Sequence, residues 1–265
     1  MKKVVLITGA SSRLGKVIVA KLAEREFQVY ATVKNLTESK DLIQQWKGNE
    51  FIKPINLDVT DEKNVKEAVD KIYKIEKRID VLINNAGYTL VGPTLGFSSS
   101  DFQKILDVNT VGAFRLIKAV YPYMKTQRFG KIINITSLNG FLALPNFGLY
   151  SSSKFALEGL GQALYYELGK DAIRLINIAP GAIKFEENSV NLPHKPAREK
   201  LPFLKFLLPM ITPENVAKNI SKVIEDNNPP GKIILGMDAK VLHLLIKVLP
   251  YFLISKIISW VWNKK

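Results

Sequence analysis

The chain has 265 residues, 47% hydrophobic and 23% charged, the balance of a globular protein with one well-buried core. It contains no cysteine and two histidines, His194 and His243, which excludes disulfides, thiolate nucleophiles and cysteine-ligated zinc; no metal is expected. The net charge of +14 comes from lysines spread along the chain among acids, as in "EKNVKEAVDKIYKIEKR", which is the pattern of solvated helix faces and not of a clustered nucleic-acid footprint; no nucleic-acid partner is expected.

The opening "MKKVVLITGA" is too short an apolar run for a signal peptide or a membrane span, so a cytoplasmic catalytic domain is expected. Short Val- and Ile-rich runs then alternate with helix-period stretches. In order they are "KVVLIT", Leu14 to Glu26, "QVYATV", "FIKPINL", Asp61 to Lys77, "DVLINN", Asp101 to Thr126, "GKIINIT", Tyr150 to Gly169 and "IRLINIA". Continuous apolar strands between helices predict a parallel sheet buried on both faces, a single doubly wound Rossmann-type α/β fold. Residues 1–240 form the catalytic domain, with a proline-punctuated insertion at about 184–211 as a substrate lid. Thr212 and Pro213 open a further helix, and "GKIILG" is the last strand.

In such a sheet the first strand-to-helix turn offers backbone N–H groups to phosphate. That turn is "TGASSRLGK". Gly9 permits the bend, Gly15 permits close packing of helix on strand, and Ser11 and Ser12 can cap and donate. Arg13 opposes the helix dipole unless an anion sits there, so alone it serves equally as a solvent-facing side chain or a phosphate contact. The second strand leads to Lys34, where an acid would hold a ribose hydroxyl and a base suits a 2′-phosphate; NADP(H) is favoured over NAD(H). Lys34 supplies a second cation to the same nucleotide, and with Gly9 and Gly15 intact Arg13 reads as a phosphate contact. Asp58 can accept from an adenine amino group or cap the helix near Asp61. In "NNAG", Asn84 to Gly87, small residues let the backbone approach a ligand.

"YSSSK" places Tyr150 and Lys154 one turn apart on one helix face, where an ammonium lowers the phenol pKa towards working pH. The preceding strand delivers Ser137 to the carboxyl edge as a second donor to a carbonyl oxygen. Asn109 interrupts a predicted helix, so that it caps a local break or holds a water behind Lys154.

With "TGASSRLG", "LDVTD", "NNAG", Asn109, Ser137, Tyr150, Lys154 and "APGAI" in this order, the chain resembles the classical short-chain dehydrogenase/reductase family over residues 3–236. The resemblance implies hydride transfer between a nicotinamide cofactor and a carbonyl or alcohol, and dimers or tetramers. It implies that Tyr150 is the acid-base, that Lys154 lowers its pKa and holds the nicotinamide ribose, that Ser137 orients the substrate oxygen and that Asn109 relays protons. It also implies cofactor contacts at Gly9, Ser11, Ser12, Arg13, Leu14, Gly15, Lys34, Asp58, Val59, Asn85, Ala86, Gly87, Pro180, Gly181 and Ile183. Two departures stand out. Arg13 replaces the middle glycine, as in the pteridine reductase branch, and Phe185 stands where threonine is usual.

The closing stretch resembles that of the retinol and 17β-hydroxysteroid dehydrogenase subgroup. Its residues predict a C-terminal extension at 241–265 of two short amphipathic helices broken at Pro250. Their apolar faces suit a membrane surface, a roof on the substrate pocket, the domain itself or a second subunit. The expected activity is NADP(H)-dependent interconversion of an apolar carbonyl and alcohol (retinoid, steroid or lipid-like). The alternatives are a pteridine-type or 3-oxoacyl-thioester reductase, or a non-catalytic cofactor-binding protein at a membrane.

Overall fold

The computed structural model describes residues 2–185 and 209–263. Seven parallel strands form one sheet in the order β3-β2-β1-β4-β5-β6-β7. They are β1 Val4–Ile7, β2 Gln28–Val33, β3 Ile52–Asn56, β4 Val81–Asn84, β5 Gly130–Ile135, β6 Ile173–Pro180 and β7 Lys232–Leu235. Strand residues point alternately to two apolar layers. Val5 and Ile7 join Ile18 and Leu22 of helix α1 (Arg13–Ala23) on one face. Val4 and Leu6 join Val69 and Ile72 of α3 (Glu62–Glu76) on the other. Both sheet faces are therefore covered, which is why the strands read as unbroken apolar runs.

A short helix, α2 (Lys40–Trp46), adds Leu42 and Trp46 to the first layer. Its seven residues are too few to give a periodic signal, so the sequence reads straight from "QVYATV" to "FIKPINL". The stretch expected as one helix from Asp101 to Thr126 is three pieces: α4 (Ser99–Leu106), a π-helical turn (Asp107–Val111) and α5 (Gly112–Gln127). Helix α6 (Gly148–Leu168) carries the tyrosine and lysine, and α7 (Pro213–Glu225) starts at Thr212, whose hydroxyl accepts from Asn215 N–H at 3.3 Å. The expected break at Pro250 separates α8 (Met237–Val248) from α9 (Tyr251–Asn263).

Of the expected lid at 184–211, residues 186–208 lie outside the described residues. Its ends meet: Ile183 and Ile211 form a parallel bridge, with Lys184 N–H donating to Ile211 C=O at 2.9 Å.

Candidate active site

Strand order reverses between β1 and β4, so their carboxyl ends diverge and open a crevice. The crevice floor is tied by Thr8, whose hydroxyl accepts from the N–H groups of Asn85 and Ala86 at 3.0 Å each. The Asn85 amide reaches back to the carbonyls of Thr8 and Gly9, at 3.0 Å each. Gly9 sits at φ 65°, and a Cβ on Gly15 would stand 2.2 Å from Gly9 O, so both glycines are dictated by the turn. Ser12 caps α1, accepting from Gly15 N–H at 3.0 Å. The first turn of α1 holds no acid, and Ser11, Ser12 and Arg13 are exposed around it. Leu14 is buried in the core, so only its backbone faces outward. Gly87 follows Ala86 beside Asn109 and Lys154: a Cβ there would lie 3.0 Å from Asn109 Oδ1 and 3.7 Å from Lys154 Nζ.

At the ends of β2 and β3, Lys34 Nζ and Asp58 Oδ2 are paired at 2.9 Å. Burial alone would raise the Asp58 carboxyl, but hydrogen bonds from Thr60 N–H and hydroxyl and from Lys34 outweigh it, and its pKa is lowered. The helix-cap alternative for Asp58 is corrected by the structure, because Asp61 caps α3, accepting from Asn64 N–H at 3.0 Å. Val59 packs in the second apolar layer, and its carbonyl accepts from the Arg115 guanidinium at 3.2 Å.

The donor set suits a dinucleotide: a helix N-terminus, serine hydroxyls and the cations Arg13 and Lys34 lie along one crevice. The two departures from the family pattern touch each other. Arg13 Cζ lies 5.3 Å from the centre of the Phe185 ring, which packs on the first apolar layer.

Strand β5 and the turn after it bring Ser137 to the same crevice, and α6 sets Tyr150 and Lys154 beside it. Ser137 is fixed by accepting from Asn139 N–H at 3.1 Å, and Asn139 in turn accepts from the Ser151 hydroxyl at 3.1 Å. Lys154 Nζ lies 5.8 Å from the Tyr150 ring centre and donates to Ile135 C=O at 2.8 Å. Burial lowers the Lys154 pKa to about 8, opposed by the charge of Glu158. The Tyr150 phenol is corrected in direction. Burial raises its pKa, and hydrogen bonds with the side chains of Ser137 and Thr89 only oppose the rise. Thr89 lies just beyond "NNAG" with no periodic or charge signal to single it out.

Asn109 is buried in the π turn. Its Oδ1 accepts from Tyr88 N–H at 3.0 Å, and its Nδ2 donates to Tyr88 C=O at 3.0 Å and Ser153 Oγ at 2.9 Å. Asn109 thus stands at the expected local break, where it ties the loop after β4 to α6.

Pro180 ends β6, Gly181 N–H donates to Leu235 C=O at 2.7 Å, and Ala182 N–H donates to Asp238 Oδ2 at 2.7 Å. Asp238 belongs to α8, so the C-terminal helices are fastened to the backbone edge at 180–183. Leu242 and Ile246 of α8 and Ile254 of α9 pack on Leu138 and Leu142, directly after Ser137.

A doubly wound parallel sheet with a glycine turn at its switch point defines a Rossmann-type nucleotide-binding fold. The chain belongs to the short chain dehydrogenase family, whose model matches residues 3–195. It is 36% identical over 179 residues to a 3-ketodihydrosphingosine reductase of Bacteroides thetaiotaomicron, covering 68% of this chain and 63% of that protein. It is 33% identical to retinol dehydrogenase 8 of Bos taurus over 251 residues, covering 86% of this chain and 80% of the other. Among solved structures, ElxO with NADP bound is 30% identical with a TM-score of 0.77, covering 89% of this chain and 97% of that one. The protein is an oxidoreductase acting on alcohols or carbonyls with a nicotinamide cofactor.

Proposed function

We propose that this protein is a cytoplasmic, NADP(H)-dependent reductase or dehydrogenase of a hydrophobic carbonyl–alcohol pair. The reading rests on one juxtaposition: Ser137, Tyr150 and Lys154 stand together at the crevice whose far end carries Arg13 and Lys34. Gly9, Ser11, Ser12, Gly15, Asn85, Ala86 and Gly87 would line the dinucleotide, with Pro180, Gly181 and Ile183 at the nicotinamide edge. Lys34 would pair with a 2′-phosphate in place of Asp58, and Arg13 would meet the same charge.

A nicotinamide cofactor bound there would supply or accept the hydride. Ser137 and Tyr150 donate hydrogen bonds to the substrate oxygen, polarising the carbonyl. Tyr150 gives its phenolic proton to that oxygen in reduction and takes it back in oxidation. Lys154, 5.8 Å from the Tyr150 ring centre, would hold the nicotinamide ribose beside the phenol. Asn109 positions Tyr88 and α6.

The apolar substrate class draws support from relatives named for a ketosphingoid lipid and a retinoid. It also draws support from the roof that α8 and α9 place over Leu138 and Leu142. No helix among the described residues is long and apolar enough to cross a membrane. We read α8 and α9 as a peripheral membrane contact. Their outer face exposes Leu244, Val248, Tyr251, Phe252 and Trp260, while Lys240, Lys247 and Lys256 supply cations. The one acid of this stretch, Asp238, is turned inward to Ala182. We also read the protein as a homo-oligomer, as its family commonly is.

The test is an NADPH and NADH oxidation assay against long-chain ketones, retinal, steroid ketones, pterins and 3-oxoacyl thioesters. Turnover confined to the apolar carbonyls supports the reading. Turnover confined to pterins or thioesters replaces it with the alternative reductases, and cofactor binding without turnover of any carbonyl replaces it with a non-catalytic role.

A further inference from the structure

One turn beyond Lys154 on α6 stands Glu158, a carboxylate turned into the interior between the helix and the sheet. Its side chain is 11% exposed. Oε1 accepts from the Thr136 hydroxyl at 2.6 Å, and Thr136 immediately precedes Ser137. Oε2 accepts from Asn177 Nδ2 at 3.2 Å and pairs with Lys232 Nζ at 3.1 Å. Four elements therefore meet at one carboxylate: α6, the end of β5, β6 and β7.

The carboxylate also ends a row of amides that crosses the sheet. Asn84 Nδ2 donates to Asn134 Oδ1 at 2.9 Å, and Asn134 Nδ2 donates to Asn177 Oδ1 at 3.0 Å. Asn177 Nδ2 then donates to Glu158. The three asparagines are register neighbours on β4, β5 and β6. Every donor in the row points towards Glu158, so each amide dipole strengthens the next and the last delivers positive charge to the carboxylate. A buried anion needs such compensation, and here it comes from dipoles, a hydroxyl and one lysine.

Resting on the hydride-transfer reading above, we propose that Glu158 is a positioning residue of that site. It is the counter-charge that keeps Lys154 an ammonium, and it is the clamp that joins the strand end of Ser137 to the helix of Tyr150. The geometry gives Lys154 no other carboxylate on its own helix face within a turn. Burial drags the Lys154 ammonium towards neutrality, and Glu158 opposes it. Lys232 moderates the carboxylate from the other side, stacked 5.0 Å above the Phe141 ring. From α8, His243 meets that ring edge-on at 5.1 Å, and its own pKa is lowered by burial and by Lys247 and Lys232.

The charge relation gives two substitutions opposite signs. Glu158→Gln keeps the size and an acceptor but removes the anion, so Lys154 loses its proton at lower pH. Lys232→Met keeps the stem over Phe141 but leaves Glu158 with more uncompensated charge, so Lys154 keeps its proton to higher pH. The test is NADPH binding, followed by its fluorescence on the full chain from pH 6 to pH 10, with wild type, both variants and Lys154→Met. In wild type, affinity weakens as pH rises through the Lys154 pKa of about 8. The expected result moves that fall down by about one pH unit, tenfold in proton affinity, in Glu158→Gln and up in Lys232→Met. Unmoved profiles, or shifts in the same direction, overturn the proposal. If Glu158→Gln does not fold, Lys232→Met decides alone: an upward shift supports the proposal and none overturns it. A fall that survives in Lys154→Met shows that Lys154 does not hold the cofactor, and then the underlying site reading fails first.

Discussion

In the proposed mechanism the proton moves through Tyr150. Tyr150→Phe is expected to reduce carbonyl turnover by at least three orders of magnitude while NADPH affinity stays within about twofold, which fluorescence titration and an NADPH oxidation assay separate. Lys154 sets the pH response. Its ammonium is lost as pH rises through about 8, so the rate of carbonyl reduction should fall on that side, and a rate still climbing at pH 9 would contradict it. At the other end of the cofactor, Lys34→Asp should raise the NADH to NADPH preference at least tenfold, measured as the ratio of kcat/KM values. Tyr150, Lys154 and Ser137 were legible because each has a fixed place relative to a strand end. Thr89 was not, since a hydroxyl in a loop has no periodicity. Nor did the sequence tell that Arg13 and Phe185 meet, because their contact joins the start of α1 to the segment after β6, more than a hundred residues away. A double-mutant cycle on NADPH affinity with Arg13→Gly and Phe185→Leu should show a coupling of about 0.5–1 kcal/mol, the range of a partly exposed cation–aromatic pair.

The elements divide along similar lines. Strands and the helices that cover them were readable because each buries a continuous or periodic apolar face, and Thr212-Pro213 announced α7 through cap chemistry. The π turn at 107–111 was readable only as a weak point, because its cause is the bonding of Asn109 to Tyr88 and Ser153, which are distant in sequence. Asn109→Leu should leave the Tyr88 backbone groups and the Ser153 hydroxyl short of a partner. A loss of about 2–4 kcal/mol in chemical denaturation is expected, with activity falling further than stability explains. The far end of α7 is held by Lys131, a buried lysine that donates to the carbonyls of Val223 at 3.1 Å, Ile224 at 2.7 Å and Asp226. Nothing in "GKIINIT" tells what that lysine meets, since its partners lie more than ninety residues away in sequence. Lys131→Met should cost about 1–3 kcal/mol of unfolding free energy without changing NADPH affinity, because the helix end loses its donor far from the crevice.

At the scale of the molecule, one stretch combines apolar surface with positive charge: α8 and α9 gather exposed Leu, Phe and Trp with lysines and turn their single acid inward. Full-length protein should therefore sediment with vesicles of phosphatidylserine and phosphatidylcholine more than with phosphatidylcholine alone. Phe252→Glu with Trp260→Glu should abolish that while leaving the fold intact by circular dichroism. The sequence carried the amphipathic character of this stretch, but the side that faces the domain follows from Leu138, Leu142 and Ile234, which only the folded sheet brings beneath it. The bridge between Ile183 and Ile211 has a further consequence. Both ends of the intervening span meet at one bridge beyond the sheet, so its length and composition can change without altering any strand register. Replacing the span between Phe185 and Pro209 by one of another length should therefore leave cofactor choice and melting temperature nearly unchanged, as kcat/KM ratios for NADPH and NADH and thermal denaturation would show.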